Sequence, residues 1–187
     1  MNEPLRIGLV GAGRSRNGLG PFLASACEKA GARVVAVAGR DAERAAHHAE
    51  ELAQRLKHPV EARADLQALC AGGIDALVIA SPQEAHLAAL RAAASNGLSC
   101  LCEKPLVDPR DAALGLAVVQ QFRGQGLVLH ENAQWPFVLP VLAQLFSRPE
   151  GSPRLLEMGL SPMGGGALSM VADSLPHLLS LCLAVLP

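Results

Sequence analysis

A short apolar run that halts at a cluster of glycines and resumes as an Ala-rich segment constrains this chain more than any other feature. Residues 5–20 read LRIGLVGAGRSRNGLG, with the apolar run at 7–10. Strand, glycine turn and helix in that order form the layout of a dinucleotide phosphate site. Glycine lets the backbone turn sharply and bring its amides close to a pyrophosphate, at the positive end of the following helix. Gly11 and Gly13 fill the first two glycine positions of that pattern. Arg16 stands where the third belongs, and the next glycine is Gly18. Alone, the loop is a weak signal, and the rest of the chain decides what it means.

The chain has 187 residues, enough for one well-buried domain and part of another. Half the residues are apolar and the net charge is -1, the profile of an ordinary globular protein. There is no overall basic field for nucleic acid and no basic-aromatic face. No apolar run reaches the length of a membrane span, about 18 residues. The N-terminus enters a strand within a few residues, which leaves no room for a signal peptide and predicts a cytoplasmic protein. Five cysteines show no zinc spacing, so buried reduced thiols are expected, with Cys100 and Cys102 on the same side of a strand. His130-Glu131 lacks a second histidine at helical spacing, and no metal site is expected. Tyrosine is absent, which removes any reductase whose acid is a Tyr-Lys pair.

Taken in order, the chain alternates strand and helix as far as residue 131. A helix is expected over 22–30, and RVVAVA at 33–38 reads as a buried parallel strand. Asp41 is placed to cap a helix running to about residue 56. His47 and His48 lie in that helix among Glu and Arg, and a solvated face is expected for them rather than a metal site. A short strand at 60–63, a brief helix capped by Asp65 and ending at Cys70, and a buried strand at 75–80 follow. Helix 84–96, strand 98–102, a helix opened by Asp108-Pro109, and strand 127–130 complete the series. Such alternation with short connections predicts a doubly wound parallel sheet, helices on both faces. We therefore divide the chain into a dinucleotide-binding domain at 1–131 and the start of a substrate or oligomerisation domain at 132–187. In the latter, a helix from Trp135 to about residue 147, a strand at 155–160 and an apolar helix at 171–185 are expected, with loops at 148–153 and 161–166. One strand cannot make a sheet.

Ligands of a doubly wound sheet bind outside the carboxyl ends of its strands. The first such end carries the glycine turn with Arg14, Ser15 and Arg16. The second carries Gly39 and Arg40, the strand at 75–80 leads to Ser81, Pro82 and then His86, and the next leads to Glu103-Lys104-Pro105. A carboxylate at the second end would accept from the ribose hydroxyl of NAD, whereas an Arg accommodates the 2′-phosphate of NADP. Gly39 followed by Arg40 favours NADP, with Arg14 and Arg16 as further phosphate ligands. NAD remains the alternative if Asp41 binds the ribose. His86 could bind near the cofactor or cap its helix.

The combination of GAGR, ASPQEAH at a strand end and CEKPL after the next strand resembles the Gfo/Idh/MocA oxidoreductase family. Asp173-Ser-Leu-Pro-His177 is similar to that family's D-x-x-x-H pair. The resemblance implies a Rossmann domain joined to a C-terminal α/β domain with a large open sheet. It also implies hydride transfer between a nicotinamide and the hydroxyl or carbonyl of a sugar- or polyol-like metabolite. By that resemblance Lys104 would sit near the nicotinamide, with His177 as general acid/base and Asp173 placing substrate. Glu103 would orient the nicotinamide ribose, Pro105 would fix the turn through a cis bond, and Trp135 would lie near the nicotinamide. Each has a plainer alternative: an exposed loop lysine, a core histidine, a helix cap and a packed tryptophan.

The chain departs from the family pattern in three places. The glycine loop is longer, Ser180 stands where many members carry an acid, and most of the C-terminal sheet is missing. That loss would leave apolar surface on the last helix, an interface signal, and a homo-oligomer is expected. A non-catalytic nicotinamide-nucleotide-binding module is the alternative to an enzyme.

Overall fold

The computed structural model describes residues 3–13, 19–146, 155–160 and 166–185. It divides into two compact units, Met1–Glu131 and Asn132–Pro187.

In the first unit six strands form one sheet: β1 (Arg6–Val10), β2 (Arg33–Ala38), β3 (Glu61–Arg63), β4 (Ala76–Ile79), β5 (Ser99–Cys102) and β6 (Leu129–Glu131). Their order is β3-β2-β1-β4-β5-β6 and every pairing is parallel. Parallel neighbours need crossover helices, and these are α1 (Gly20–Lys29), α2 (Ala42–Leu56), α3 (Leu66–Cys70), α4 (His86–Ser95) and α5 (Ala112–Gly124). The chain returns past β1 to pair β4 with it, so the strand order reverses between β1 and β4. This is the Rossmann sheet that the alternation predicts.

The apolar runs are continuous because both faces of the sheet are covered. Side chains alternate across a strand, so Leu77 and Ile79 of β4 pack with Leu90, Val118 and Phe122. Val78, between them, joins Leu9, Val37 and Leu52 on the other face. Asp41 and Asp65 cap α2 and α3 as expected, accepting from Arg44 N and Ala68 N at 2.8 Å each.

Helix starts differ from the sequence reading. The expected helix at 84–96 is a 3-10 turn, Gln83–Ala85, followed by α4, and Pro109–Asp111 likewise precedes α5. The five cysteines are free thiols, with Cys70, Cys100 and Cys102 buried. Cys100 and Cys102 do share one side of β5. Burial pushes Cys70 up to about 11 and Cys100 up to about 12, which keeps these thiols protonated and inert.

The second unit holds a 3-10 turn at Trp135–Val138, α6 (Leu139–Leu145) and α7 (Ala167–Val185). The strand expected at 155–160 is not formed. Exposure alternates there as in a strand, with Leu156, Met158 and Leu160 half-buried and their neighbours exposed. A strand also needs a ladder partner, and none of the described residues supplies one. The expected loops at 148–153 and 161–165 lie outside the described residues. No described helix is long and apolar enough to cross a membrane.

Leu77 is fully buried in a central strand. Leu77→Ala should cost about 2–5 kcal/mol of stability in a urea melt, the usual penalty for such a cavity.

Candidate functional site

The reversal of strand order sets where a ligand can lie, and one residue lets the two halves meet there. Gly11, directly after β1, has φ of 87°. A Cβ at that position would overlap the Ala80 carbonyl and the Ser81 nitrogen. The turn after β1 thus touches the backbone at the end of β4, a contact that only glycine allows.

The third glycine of the fingerprint is also found, and it is Gly20. A Cβ on Gly20 would overlap Gly11 O and come within 2.9 Å of Ala12 Cα. Gly20 opens α1 and brings its first turn onto the glycine turn. The sequence reading missed it by looking at the usual spacing. The signal was present in Gly20-Pro21, since Pro is favoured in the first turn of a helix. Arg14, Ser15 and Arg16 lie outside the described residues.

A cleft of about 510 Å³ opens above these turns, within the size range of ligand pockets. Gly11, Gly13, Gly39 and Arg40 line it, with Arg44 on one flank and Ser81 and Pro82 on the other. Gly39 lies close against α2, where a Cβ would come within 2.6 Å of Ala45 N. No acid therefore occupies the end of β2. Asp41 is engaged as the α2 cap and lies 3.7 Å from the Arg44 guanidinium. The charged side chains of the cleft lining are Arg40 and Arg44, beside the end of β2, and Glu84, beyond β4. Ser81 Oγ is buried here with no hydrogen-bond partner among the described residues.

His48 is a correction. His47 is exposed as expected, but the His48 side chain is only 15% exposed. Its ring lies 3.4 Å from where a Gly13 Cβ would be, and it lines the cleft. The turn of α2 that starts at Asp41 places Arg44 and His48 one above the other, four residues apart.

Further along the rim, Glu103, Lys104 and Pro105 follow β5. Glu103 is buried, Lys104 is half-buried, and neither belongs to the cleft lining. The Lys104–Pro105 peptide is cis, as expected. The next peptide is held at both ends: Leu106 N–H donates to Glu131 Oε1 at 3.0 Å, and Pro105 O lies 2.9 Å from His86 Nδ1. His86 is buried and neither reaches the cleft lining nor caps its helix through a side-chain bond. Beyond this segment, Asp108 makes a paired contact with Arg110 at 2.9 and 2.7 Å, and those hydrogen bonds hold its carboxyl down to about 2.

In the second unit Asp173 and His177 lie one turn apart on α7, with Pro176 between them. The Trp135 ring meets the His177 ring edge-on, 6.1 Å between centroids. Trp135 Nε1 is buried without a hydrogen-bond partner among the described residues. Ser180 donates its hydroxyl to His177 O at 2.8 Å, so it serves the helix backbone.

A family model described as an oxidoreductase family with an NAD-binding Rossmann fold matches residues 5–133. The chain belongs to the Gfo/Idh/MocA oxidoreductase family. It is 37% identical over 127 residues to an inositol 2-dehydrogenase of Streptomyces avermitilis, covering 68% of this chain and 35% of that one. It is 34% identical over 129 residues to inositol 2-dehydrogenase 4 of Saccharopolyspora erythraea, covering 68% and 36%. The chain thus spans about a third of the length of these relatives. Among solved structures, a putative myo-inositol dehydrogenase from Sinorhizobium meliloti aligns with a TM-score of 0.60 at 30% identity, covering 75% of this chain and 40% of that one. A UDP-N-acetylglucosamine 3-dehydrogenase from Acidithiobacillus ferrooxidans aligns with a TM-score of 0.63 at 28% identity, covering 81% and 45%.

Because the Gly20 position faces backbone rather than side chain, Gly20→Ala must displace α1. It should cost about 1–3 kcal/mol in a denaturant melt and weaken nucleotide binding in a fluorescence titration.

Proposed function

We propose that this chain is the nucleotide-binding part of an NADP-dependent oxidoreductase acting on a hydroxyl or carbonyl of a polyol or sugar-like metabolite. The observation that carries the cofactor reading is the rim of β2, where Gly39 replaces the expected acid and Arg40 and Arg44 line the cleft. The residues present fit such a cofactor. Gly11 and Gly20 leave room for backbone amides to approach a pyrophosphate, and Ser81 Oγ is a buried polar atom available to a ligand. Arg40 and Arg44 would hold the 2′-phosphate through charge-assisted hydrogen bonds.

When bound, the nicotinamide supplies or accepts hydride. Lys104 stabilises negative charge on the substrate oxygen, an electrostatic role that a fixed ammonium fills without reorganisation. His177 holds or delivers the proton, and Asp173 helps place the substrate hydroxyl. Glu103 orients the nicotinamide ribose, and Trp135, edge-on to His177, restricts the tilt of that ring. The printed names of the relatives point to inositols as the first substrates to test. The domain division follows from the same reading, with residues 1–131 for the dinucleotide and 132–187 beginning the substrate and oligomerisation part.

One observation favours a second reading. Every residue lining the cleft belongs to Met1–Glu131, so a nucleotide can be held without the second unit. A non-catalytic nucleotide-binding module would use only that half.

Fluorescence titration separates NADPH from NADH. NADPH should bind about tenfold or more tightly than NADH, and Arg40→Ala should remove that margin by about 1.5–3 kcal/mol while leaving NADH unchanged. Equal or tighter NADH binding overturns the NADP preference. With myo-inositol and a panel of sugars, Lys104→Ala and His177→Ala should each lower turnover by about 10²–10⁴-fold, read from nicotinamide absorbance. Wild-type rates in both variants overturn the mechanism, and binding without any turnover supports the second reading.

A further inference from the structure

Helix α2 presents two different sides to the first unit. Ala45, Ala49 and Leu52 are buried in its packing against the rest of the unit. Arg44 and His48, each one residue before a buried alanine, line the cleft instead. They stand one above the other on the helix, four residues apart.

The His48 side chain is 15% exposed, yet no described residue forms a hydrogen bond with its ring. Its buried Nδ1 has Glu51 Oε2 at 3.5 Å, without a hydrogen bond between them. The opposite edge of the ring faces the glycine turn: Cε1 and Nε2 each lie 3.4 Å from where a Gly13 Cβ would be. A largely buried polar ring with no partner calls for one, and a ligand in the cleft is such a partner. Gly13 carries no side chain that could come between the ring and that ligand.

The charges around the cleft say which part of a nucleotide belongs beside this ring. Glu84 lines the flank beyond β4 and would repel an anion there, whereas Arg40 and Arg44 line the flank that His48 shares. A phosphate oxygen accepts from guanidinium N–H groups, and it accepts equally from an imidazole N–H whether or not the ring is charged.

We infer that His48 is a specificity-determining residue of the nucleotide cleft, donating a ring N–H to the 2′-phosphate of NADP from the side opposite Arg40. That role deepens the proposed NADP site and rests on it. It adds a contact from the middle of α2 to the arginines near the start of that helix. The 2′-phosphate then meets a neutral-capable donor as well as two cations, and NADH, which lacks that phosphate, makes no use of it.

The test is fluorescence titration of this chain and its His48 variants with NADPH and NADH. His48→Phe keeps a flat ring but has no N–H. It should weaken NADPH about tenfold, the worth of one hydrogen bond to a charged group, and leave NADH unchanged. His48→Gln restores an N–H donor and should hold NADPH within about threefold of wild type. Equal losses for NADPH and NADH, or no loss in a folded His48→Phe variant, overturn the inference. Should His48→Phe not fold, NMR of the wild type decides. The His48 Cε1–H signal should move more with 2′,5′-ADP than with 5′-AMP, and equal movement overturns the inference. Wild-type protein with no preference for NADPH overturns the NADP reading and this role with it. A wild-type preference that Arg40→Ala removes and His48→Phe leaves intact overturns the role of His48 alone.

Discussion

The contact between Gly11 and the backbone of Ala80 and Ser81 is the constraint on which the site depends. It joins the ends of β1 and β4, the two strands between which the order of the sheet reverses. At such a reversal the crossover helices leave in opposite directions, and the gap they leave is where a ligand enters. The gap is useful only if the turn after β1 stays low, because a raised turn would fill it. Gly11 keeps it low by having no Cβ, and Gly20 lets α1 start directly behind it. Arg40 and Ser81 then come to opposite sides of one cleft although they lie far apart in sequence.

The parallel sheet was legible because its strands are buried on both faces, so β2 and β4 appear as unbroken β-branched and apolar runs between glycine, serine and proline. Asp41 and Asp65 were legible as caps because their role is local, decided by the backbone within three residues. Residues 155–160 misled for the opposite reason: their composition suits a strand, but a strand is a relation to a neighbour, and composition does not supply one. His48 misled because α2 is polar on most of its surface, while its ring lies beside Gly13 and lines the cleft. Gly20 was hidden by a loop longer than the usual fingerprint. None of these three is a failure of propensity; each turns on a contact, made or missing, between segments distant in the chain or unusually spaced.

The two units differ in how far their own packing goes. In Met1–Glu131 the large side chains are divided between two clusters, one on each face of the sheet. In Asn132–Pro187, Val171, Leu175, Leu179 and Leu183 follow one another at helical spacing and are 53%, 44%, 49% and 82% exposed. A stripe of that kind on a helix is the form a buried face takes before its cover is counted. The contrast matches where the family model ends, at residue 133.

This difference governs how far each functional statement reaches. The end of the cleft beside β1 is built from backbone: positive φ at Gly11, absent Cβ atoms and a helix start. Such features depend on few side chains. The proposed NADP preference depends on more, since it rests on Gly39, Arg40 and Arg44. Substrate choice depends on most, because a hydroxyl is recognised by side chains converging on it, and those converge from more than one part of a chain. The contacts of His86 and Glu131 with the Pro105–Leu106 peptide sit between these levels. They use two side chains to fix the backbone segment that follows Lys104, and both lie in the first unit.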